Sequence, residues 1–204
     1  MKKLTFLCII LLSLASLAHG QQNYFYFSWD INTPTSSTDW LKSSSASGAK
    51  AGYRFFPENL ENFSFGIDVN WGAYDQYFPR QTFTTDNSSF TTDYFNYIYT
   101  VGATISSQYY FKVGDGDRFY PYVGLGLGAN NNQYMTYYNV YTEEDRRWGF
   151  LARPEAGIIA KIGRTIGVLA AVHYDYSTNS SEYFDYKNFS AVGFQLGIVA
   201  MNRR

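Results

Sequence analysis

The sequence predicts an all-β protein, an eight-stranded antiparallel up-and-down transmembrane β-barrel with short periplasmic turns and long extracellular loops. Three observations support this fold class. Segments of about ten residues alternate large apolar side chains with small polar ones. Long and short connections alternate between these segments, and aromatic residues make up 20% of the chain whereas charged residues make up only 16%. A period of two is typical of a strand with lipid on one side and a packed polar interior on the other.

The alternation is clearest in the segment FSFGIDVNW, which covers residues 63–71. One face of an extended strand here carries Phe63, Phe65, Ile67, Val69 and Trp71, and the other carries Ser64, Gly66, Asp68 and Asn70. Successive side chains of a strand point to opposite faces. We therefore expect the apolar face to meet lipid and the polar face to line the interior.

The first four predicted strands have aromatic-rich outward faces. They cover residues 23–31, 48–56, 63–71 and 97–111. In the first strand the outward positions are Phe25, Phe27, Trp29 and Ile31, and the inward positions are Tyr24, Tyr26, Ser28 and Asp30. In the second strand Lys50, Gly52 and Arg54 point inward.

The last four predicted strands follow the same rule with more aliphatic outward faces. They cover residues 120–129, 149–162, 165–176 and 189–200. The fifth sets Val123, Leu125, Leu127 and Ala129 against Gly124, Gly126 and Gly128. Small inward residues suit the cramped interior of an eight-stranded barrel.

The connections supply an independent signal. The short ones cover residues 57–62, 112–119 and 163–164, and the long ones cover residues 32–47, 72–96, 130–148 and 177–188. This alternation is typical of outer-membrane barrels, which have long external loops and short periplasmic turns. An even number of strands then places both termini of the barrel domain on the periplasmic side.

The N-terminal segment predicts export. Residues 1–20 combine a basic start, a short apolar run and the small-x-small site Ala18-His19-Gly20, which is the pattern of a cleavable signal peptide; a membrane anchor is the alternative. We expect residues 21–204 to form one barrel domain. Cys8, the only cysteine, lies in the signal segment, so the mature chain is expected to lack disulfides and thiolate sites.

A soluble, lipocalin-like barrel is the competing fold, because alternation alone does not say which face points inward. The polar faces here consist mostly of Gly, Ser, Thr, Asn and Gln, whereas a surface in water carries many Lys and Glu. Tyr and Trp also recur toward strand ends, as in the aromatic girdles of membrane barrels, although aromatic residues favour strands in general. Both features favour the membrane barrel.

Three motifs resemble a known family: RFYPYVGLGLGAN (residues 118–130), ARPEAGIIAK (152–161) and GFQLGIVA (193–200). They are similar to the outer membrane protein β-barrel domain family, whose members are small OmpA- and OmpX-like barrels of Gram-negative outer membranes. The resemblance implies a fold and a location more than an activity. One departure is that this sequence closes on Met201-Asn202-Arg203-Arg204, whereas many such barrels end on an aromatic residue.

Charged residues on predicted inward faces form the main candidate constellation. They are Lys50, Arg54, Asp68, Arg153, Glu155, Lys161, His173 and Asp175. An unpaired charge in a poorly hydrated interior costs several kcal/mol, so we expect a packed ion-pair network that fills the lumen. A narrow polar channel or a proton-linked gate is the alternative.

The order His173, Asp175, Ser177 invites comparison with a hydrolase triad. These residues share one strand face but rise about 6.6 Å per step of two residues, which is too far for successive hydrogen bonds. Gly124 to Gly128 lacks the spacing of a phosphate-binding loop. We therefore expect no catalytic, cofactor-binding or metal-binding residues.

The predicted function is a structural or surface-interaction role, adhesion-like, in the cell outer membrane. The external segment 74–95, rich in Tyr, Phe and Thr, is the best candidate contact surface for a ligand or host partner, and its composition suits equally an ordered loop that extends the barrel above the membrane. Other expected partners are outer-membrane lipid and the barrel-assembly machinery, and the net charge of −1 gives no sign of nucleic-acid binding. A narrow porin and a lipid A-modifying enzyme are the alternative functions.

Overall fold

A computed structural model of the protein describes most of the chain beyond its N-terminal segment. The described residues are 23–36, 39–60, 62–85, 88–112, 118–139 and 141–202. The predicted signal peptide, residues 1–20, lies outside them, and its cleavage stays a prediction. Arg203 and Arg204 also lie outside the described residues.

Eight antiparallel strands form one closed barrel in which every strand pairs with its neighbours along the chain and β1 pairs with β8. The strands are β1 Asn23–Pro34, β2 Ser45–Phe55, β3 Phe63–Thr85, β4 Ser88–Tyr110, β5 Phe119–Tyr137, β6 Thr142–Lys161, β7 Ile166–Ser177 and β8 Phe189–Asn202. No helix within the described ranges is long and apolar enough to cross a membrane. The predicted fold class is confirmed.

The two faces of the barrel wall have the predicted orientation. On β3, Ile67 is 59% exposed and Asp68 is 2% exposed. The same contrast holds on β1, where Phe27 is 57% exposed and Tyr26 is 2% exposed. A wall that turns its large apolar side chains outward and buries its polar ones is the inverse of a soluble barrel.

The long connection predicted over residues 72–96 is mostly strand, which corresponds to the ordered extension of the barrel that its composition also allowed. β3 continues to Thr85 and β4 begins at Ser88, so almost the whole segment is a β-hairpin. Its alternation is hidden by a β-bulge between Phe78 and Gln81, beside Pro79, which shifts the side-chain pattern by one position. We call the part of this hairpin beyond Tyr74 and Ile98 the external hairpin.

The predicted loop 130–148 is also mostly strand. β5 reaches Tyr137 and β6 begins at Thr142. Its Asn-rich and charged composition is typical of a loop. In the structure, however, the residues pair across the two strands, as Gln133 does with Arg146, and the backbone N–H and C=O groups form hydrogen bonds in the sheet. Two of the four long connections are therefore rigid extensions of the wall, while residues 35–44 and 178–188 remain loops.

Two apolar clusters lie inside the barrel, one toward each end. The periplasmic cluster contains Tyr24, Tyr26, Tyr110, Tyr122, Ile159, Leu169, Ala171 and Val199. The external cluster contains Leu41, Tyr74, Ile98, Tyr134, Tyr186, Phe189 and Ala191, with Trp40 and Phe184 packed against it. Because Leu41 and Tyr186 come from the first and fourth external connections, loop side chains fill the outer mouth of the barrel.

Candidate functional sites: the charged interior and the external aromatic wall

The first interior ion pair joins Arg54 of β2 to Asp68 of β3. Arg54 Nη1 lies 2.7 Å from Asp68 Oδ1, and Arg54 Nη2 donates to Asp68 Oδ2 at 2.8 Å. Asp68 also accepts hydrogen bonds from Tyr26 Oη at 2.6 Å and Ser106 Oγ at 2.7 Å. The carboxylate thus has four donors, which is the condition under which a buried charge is tolerated.

Gly52 makes room for this pair. It lies opposite both Asp68 and Tyr26 in the sheet register. A Cβ at this position would overlap Asp68 Oδ1 and the Tyr26 ring. The small inward residues predicted from the sequence therefore have a specific reason here, since they leave space for the large charged side chains of neighbouring strands.

The second ion pair crosses the lumen. Lys50 Nζ of β2 lies 2.6 Å from Glu155 Oε2 of β6, on the other side of the barrel, and both residues are buried. Glu155 also accepts hydrogen bonds from Gln108 Nε2 and, at 3.3 Å, from Gln195 Nε2. Side chains from β2, β4, β6 and β8 thus meet at one carboxylate, so this group ties together strands that share no backbone ladder.

The third ion pair joins Arg153 of β6 to both carboxylate oxygens of Asp175 on β7. Beside it, His173 Nε2 lies 2.9 Å from Asn32 Oδ1 and 3.6 Å from Asp30 Oδ1. Among the described residues, Asp30 Oδ1 and His173 Nδ1 have no hydrogen-bond partner. The alternation placed Asp30 inward, but Asp30 was not predicted to belong to the charged set. The reason is that His173, whose ring it faces at 3.6 Å, lies on β7, far along the chain.

Lys161, another predicted member of the charged set, lies apart from the three ion pairs and from His173. It is half-buried at the periplasmic end, where its Nζ donates to Tyr120 Oη at 2.5 Å and lies 4.2 Å from the centre of the Tyr120 ring. Its inward position was predicted correctly, but it lies too near the strand end to reach the central charges. An amphipathic side chain at that depth keeps its ammonium near water.

The candidate triad is not assembled. Ser177 Oγ donates to Asn130 Oδ1 at 2.9 Å, not to His173, and accepts a hydrogen bond from Asn179 N at 3.3 Å. Asp175 is held by Arg153, and His173 faces Asn32. Within the described ranges no group of three or more His, Cys, Asp and Glu residues is arranged to hold a metal ion.

A second site lies outside the barrel, on the face of the external hairpin that continues the lumen side of the wall. We call it the aromatic wall, and its members are Phe78, Phe83, Phe90, Tyr94, Tyr138 and Tyr141. The rings of Phe78 and Tyr94 stack at 4.7 Å, and those of Tyr138 and Tyr141 at 4.8 Å. Such offset and edge contacts order aromatic side chains beyond what area burial provides.

Hydrogen bonds join the β5–β6 turn to the external hairpin, so that the rings of the aromatic wall form one continuous surface. Asn139 Nδ2 donates to Asp93 Oδ1 at 2.8 Å, and Asn139 has φ 67°, a left-handed conformation that Asn tolerates. Tyr138 N donates to Tyr141 O at 2.9 Å. Tyr138 contacts Phe83, Phe90 and Tyr94 across the strands, so the turn and the hairpin form a single surface.

Charged groups border this surface. Partial burial, together with the nearby Glu143 carboxylate, raises the pKa of Tyr138 to about 12, so its phenol is neutral at physiological pH. A little further from the aromatic wall, burial alone would raise the pKa of Asp145, but hydrogen bonds from Ser181 and Arg147 lower it below its usual value.

Comparison with known proteins places the barrel in a family. The family model for the outer membrane protein beta-barrel domain matches residues 4–201. The chain belongs to this family. As a member of it, the chain is an outer-membrane β-barrel.

Solved structures of outer-membrane barrels are similar in fold. Neisserial surface protein A (NspA) is 15% identical with a TM-score of 0.58, and the match covers 87% of this chain and 96% of NspA. Ail, the attachment invasion locus protein of Yersinia pestis, is 12% identical (TM-score 0.48, covering 89% and 99%), and OprG of Pseudomonas aeruginosa is 13% identical (TM-score 0.47, covering 92% and 99%). A search of curated proteins returned no match.

Proposed function

We propose that this protein is a closed outer-membrane barrel with a structural and surface-interaction role, which presents the external hairpin to a partner outside the cell. The observation that carries the proposal is a contrast between two regions. The interior is filled by three ion pairs between two apolar clusters, whereas the aromatic wall stands ordered and partly exposed above the barrel mouth.

The interior contacts support a plugged lumen. Removing one partner of a buried ion pair costs about 3–5 kcal/mol, because the other charge is left without compensation. The Lys50–Glu155 pair crosses the lumen, and loop residues Leu41 and Tyr186 fill its outer mouth. A solute would have to separate this pair and displace the loops, which favours a barrel that does not conduct.

The external hairpin supports the interaction role. An irregular loop of this composition would lose much conformational entropy on binding, whereas a β-hairpin with packed rings has lost it during folding. Aromatic residues also dominate the energetics of protein interfaces. The hairpin is therefore a preorganised surface rather than a connector.

A narrow channel for protons or small cations is the second candidate. It is favoured by Asp30 Oδ1 and His173 Nδ1, two buried polar atoms that have no hydrogen-bond partner among the described residues. Lipid A modification by His173 is not favoured, since this side chain faces the interior at 3% exposure rather than the lipid.

Two measurements test the proposal. The purified barrel, reconstituted in planar bilayers beside a general porin as positive control, is expected to give no conductance steps. Steps that change when Asp30 is replaced by Asn would establish the channel instead.

The second measurement is adhesion of Escherichia coli cells that display the protein to cultured epithelial cells. Replacing residues 78–94 by Asn-Gly removes the hairpin tip, keeps the native pairing of Tyr77 with Phe95, and is expected to abolish the gain in adhesion. Heat-modifiable gel mobility confirms that the barrel of the variant is folded. Equal adhesion with and without the tip would refute the role given to the hairpin.

A further inference from the structure

The aromatic wall has an acidic border. Glu143 on β6 follows Tyr141 by two residues and pairs with Thr136 of β5, which precedes Tyr138 by two residues. The Glu143 carboxylate raises the pKa of Tyr183 from the fourth external loop. Tyr183 is 61% exposed and its ring packs edge-on against Phe184 at 4.8 Å. Three exposed or partly exposed tyrosines therefore surround one carboxylate at the edge of the wall.

The external surface as a whole has an excess of negative charge. Its described segments are 35–36, 39–44, 75–85, 88–95, 137–139, 141–147 and 178–188. Eight carboxylates lie in them: Asp39, Asp75, Asp93, Glu143, Glu144, Asp145, Glu182 and Asp185. Five cations lie in them: Lys42, Arg80, Arg146, Arg147 and Lys187.

The cations nearest the aromatic wall do not reverse this excess. Arg147 is paired with Asp145 at 2.9 Å. Arg80 lies at the bulge after Phe78, at the opposite end of the wall from Glu143. The part of the wall around Tyr138, Tyr141 and Glu143 thus offers ring faces and a carboxylate to an incoming group.

Ring faces and carboxylates attract the same kind of group. The face of a tyrosine ring carries negative potential and binds Lys or Arg cations within about 6 Å. A nearby carboxylate adds direct charge attraction and hydrogen-bond acceptors for the planar guanidinium. An anionic partner, such as a phosphorylated lipid or a sulfated polysaccharide, would be repelled by the same surface.

We propose that the aromatic wall, with Glu143 at its border, is a docking site for an Arg- and Lys-rich segment of a polypeptide. This inference rests on the surface-interaction function proposed above and names the chemical class of its partner. The side chains of such a segment stack on Tyr138 and Tyr141, and Glu143 orients one guanidinium. The negative external surface steers the segment toward this site.

The experiment uses the full mature barrel in lipid nanodiscs and fluorescein-labelled octa-arginine as the probe, with fluorescence anisotropy as the readout. Replacing both Tyr138 and Tyr141 by Leu keeps apolar volume and net charge but removes the ring faces. We expect this variant to bind about 5–30-fold more weakly. Replacing both by Phe keeps the rings and is expected to retain binding within about threefold.

Two controls separate the site from general acidity. Tyr176→Leu alters an exposed tyrosine on the outward face of β7, where Tyr176 is 40% exposed, and is expected to leave binding unchanged. Glu143→Gln is expected to weaken binding about threefold or more and to reduce its dependence on salt. Fluorescein-labelled octa-glutamate, used alone as a separate probe, is expected not to bind.

Three results would overturn the proposal. They are an absence of octa-arginine binding by the folded wild-type barrel, equal binding by the Tyr138→Leu/Tyr141→Leu variant, and tighter binding of a neutral oligosaccharide such as maltoheptaose at the same rings. If any of these occurs while hairpin-dependent adhesion persists, only the partner class is wrong. If adhesion does not depend on the hairpin either, the proposed function fails with it.

Discussion

Removal of the Arg54 guanidinium is the sharpest test of the interior network. In the variant Arg54→Met, Asp68 keeps its hydrogen bonds from Tyr26 and Ser106 but loses both contacts with the guanidinium. Asp68 is 2% exposed, so water does not replace the lost partner. The free energy of unfolding is expected to fall by about 3–5 kcal/mol.

The assay is urea unfolding of the barrel in lipid vesicles, followed by the fluorescence of Trp29, Trp71 and Trp148, which lie on the outward face. At a slope of about 2 kcal/mol per M of urea, the midpoint is expected to fall by about 2 M. Heat-modifiable gel mobility gives an independent reading of the folded fraction. We expect the urea midpoint and the folded fraction on the gel to decrease together.

Two further variants make the test specific. Arg147→Met removes an arginine from the external pair with Asp145, in which the arginine side chain is 48% exposed, and is expected to change stability by less than about 1 kcal/mol. The double variant Arg54→Met/Asp68→Asn leaves no unpaired charge and is expected to recover most of the loss. A single variant Arg54→Met within about 1 kcal/mol of the wild type would refute the reasoning.

Three other perturbations follow from the same structure. Glu155→Gln leaves Lys50 without its partner at 2.6 Å and is expected to lower the free energy of unfolding by about 3–5 kcal/mol. The double variant Lys50→Met/Glu155→Gln is expected to be closer to the wild type, and the urea midpoints of the two variants test this difference. Gly52→Ala is expected to cost about 1–3 kcal/mol, because its Cβ overlaps Asp68 and Tyr26; wild-type stability would contradict the packing described. The lowered pKa of Asp145 means that its contacts with Ser181 and Arg147 stabilise the fourth loop at neutral pH and are lost only as the pH falls below the usual carboxyl range. The amide hydrogen-exchange protection factors of residues 178–186, from which the intrinsic pH dependence of exchange has been divided out, are therefore expected to fall in acid and to become independent of pH in Asp145→Asn.

The external connections show which structural feature the sequence pattern did not predict, namely the extension of β3 and β4 beyond the membrane. Residues 72–96 contain Pro79 and Arg80 at a bulge, and the shift of one position at a bulge breaks a pattern that is read at a period of two. Beyond the bulge, Phe83 pairs with Phe90, so the strand resumes on the shifted pattern. Searching for alternation separately on each side of the proline would have found the extension.

The interior partners show a different limit. Alternation placed Tyr24 and Tyr26 on the inward face of the first strand, but it did not indicate that Tyr24 hydrogen-bonds to Tyr110 of β4 across the barrel. Nothing local in the sequence reports such a contact. Asp30 and His173 were each placed inward, yet their proximity follows from the pairing of β1, β8 and β7 around the closed ring.

The sequence by itself determined which side of each strand meets lipid, because side chains alternate between the two faces away from bulges and the small polar residues of one face suit only a barrel interior. Residues such as Ile67 and Asp68 carry this information locally. Only the tertiary structure decided which charges meet, since Lys50 and Glu155 lie 105 positions apart and face each other because eight tilted strands close into one ring. The external aromatic wall also required the fold, because its rings come from a hairpin and a neighbouring turn that hydrogen bonds hold together.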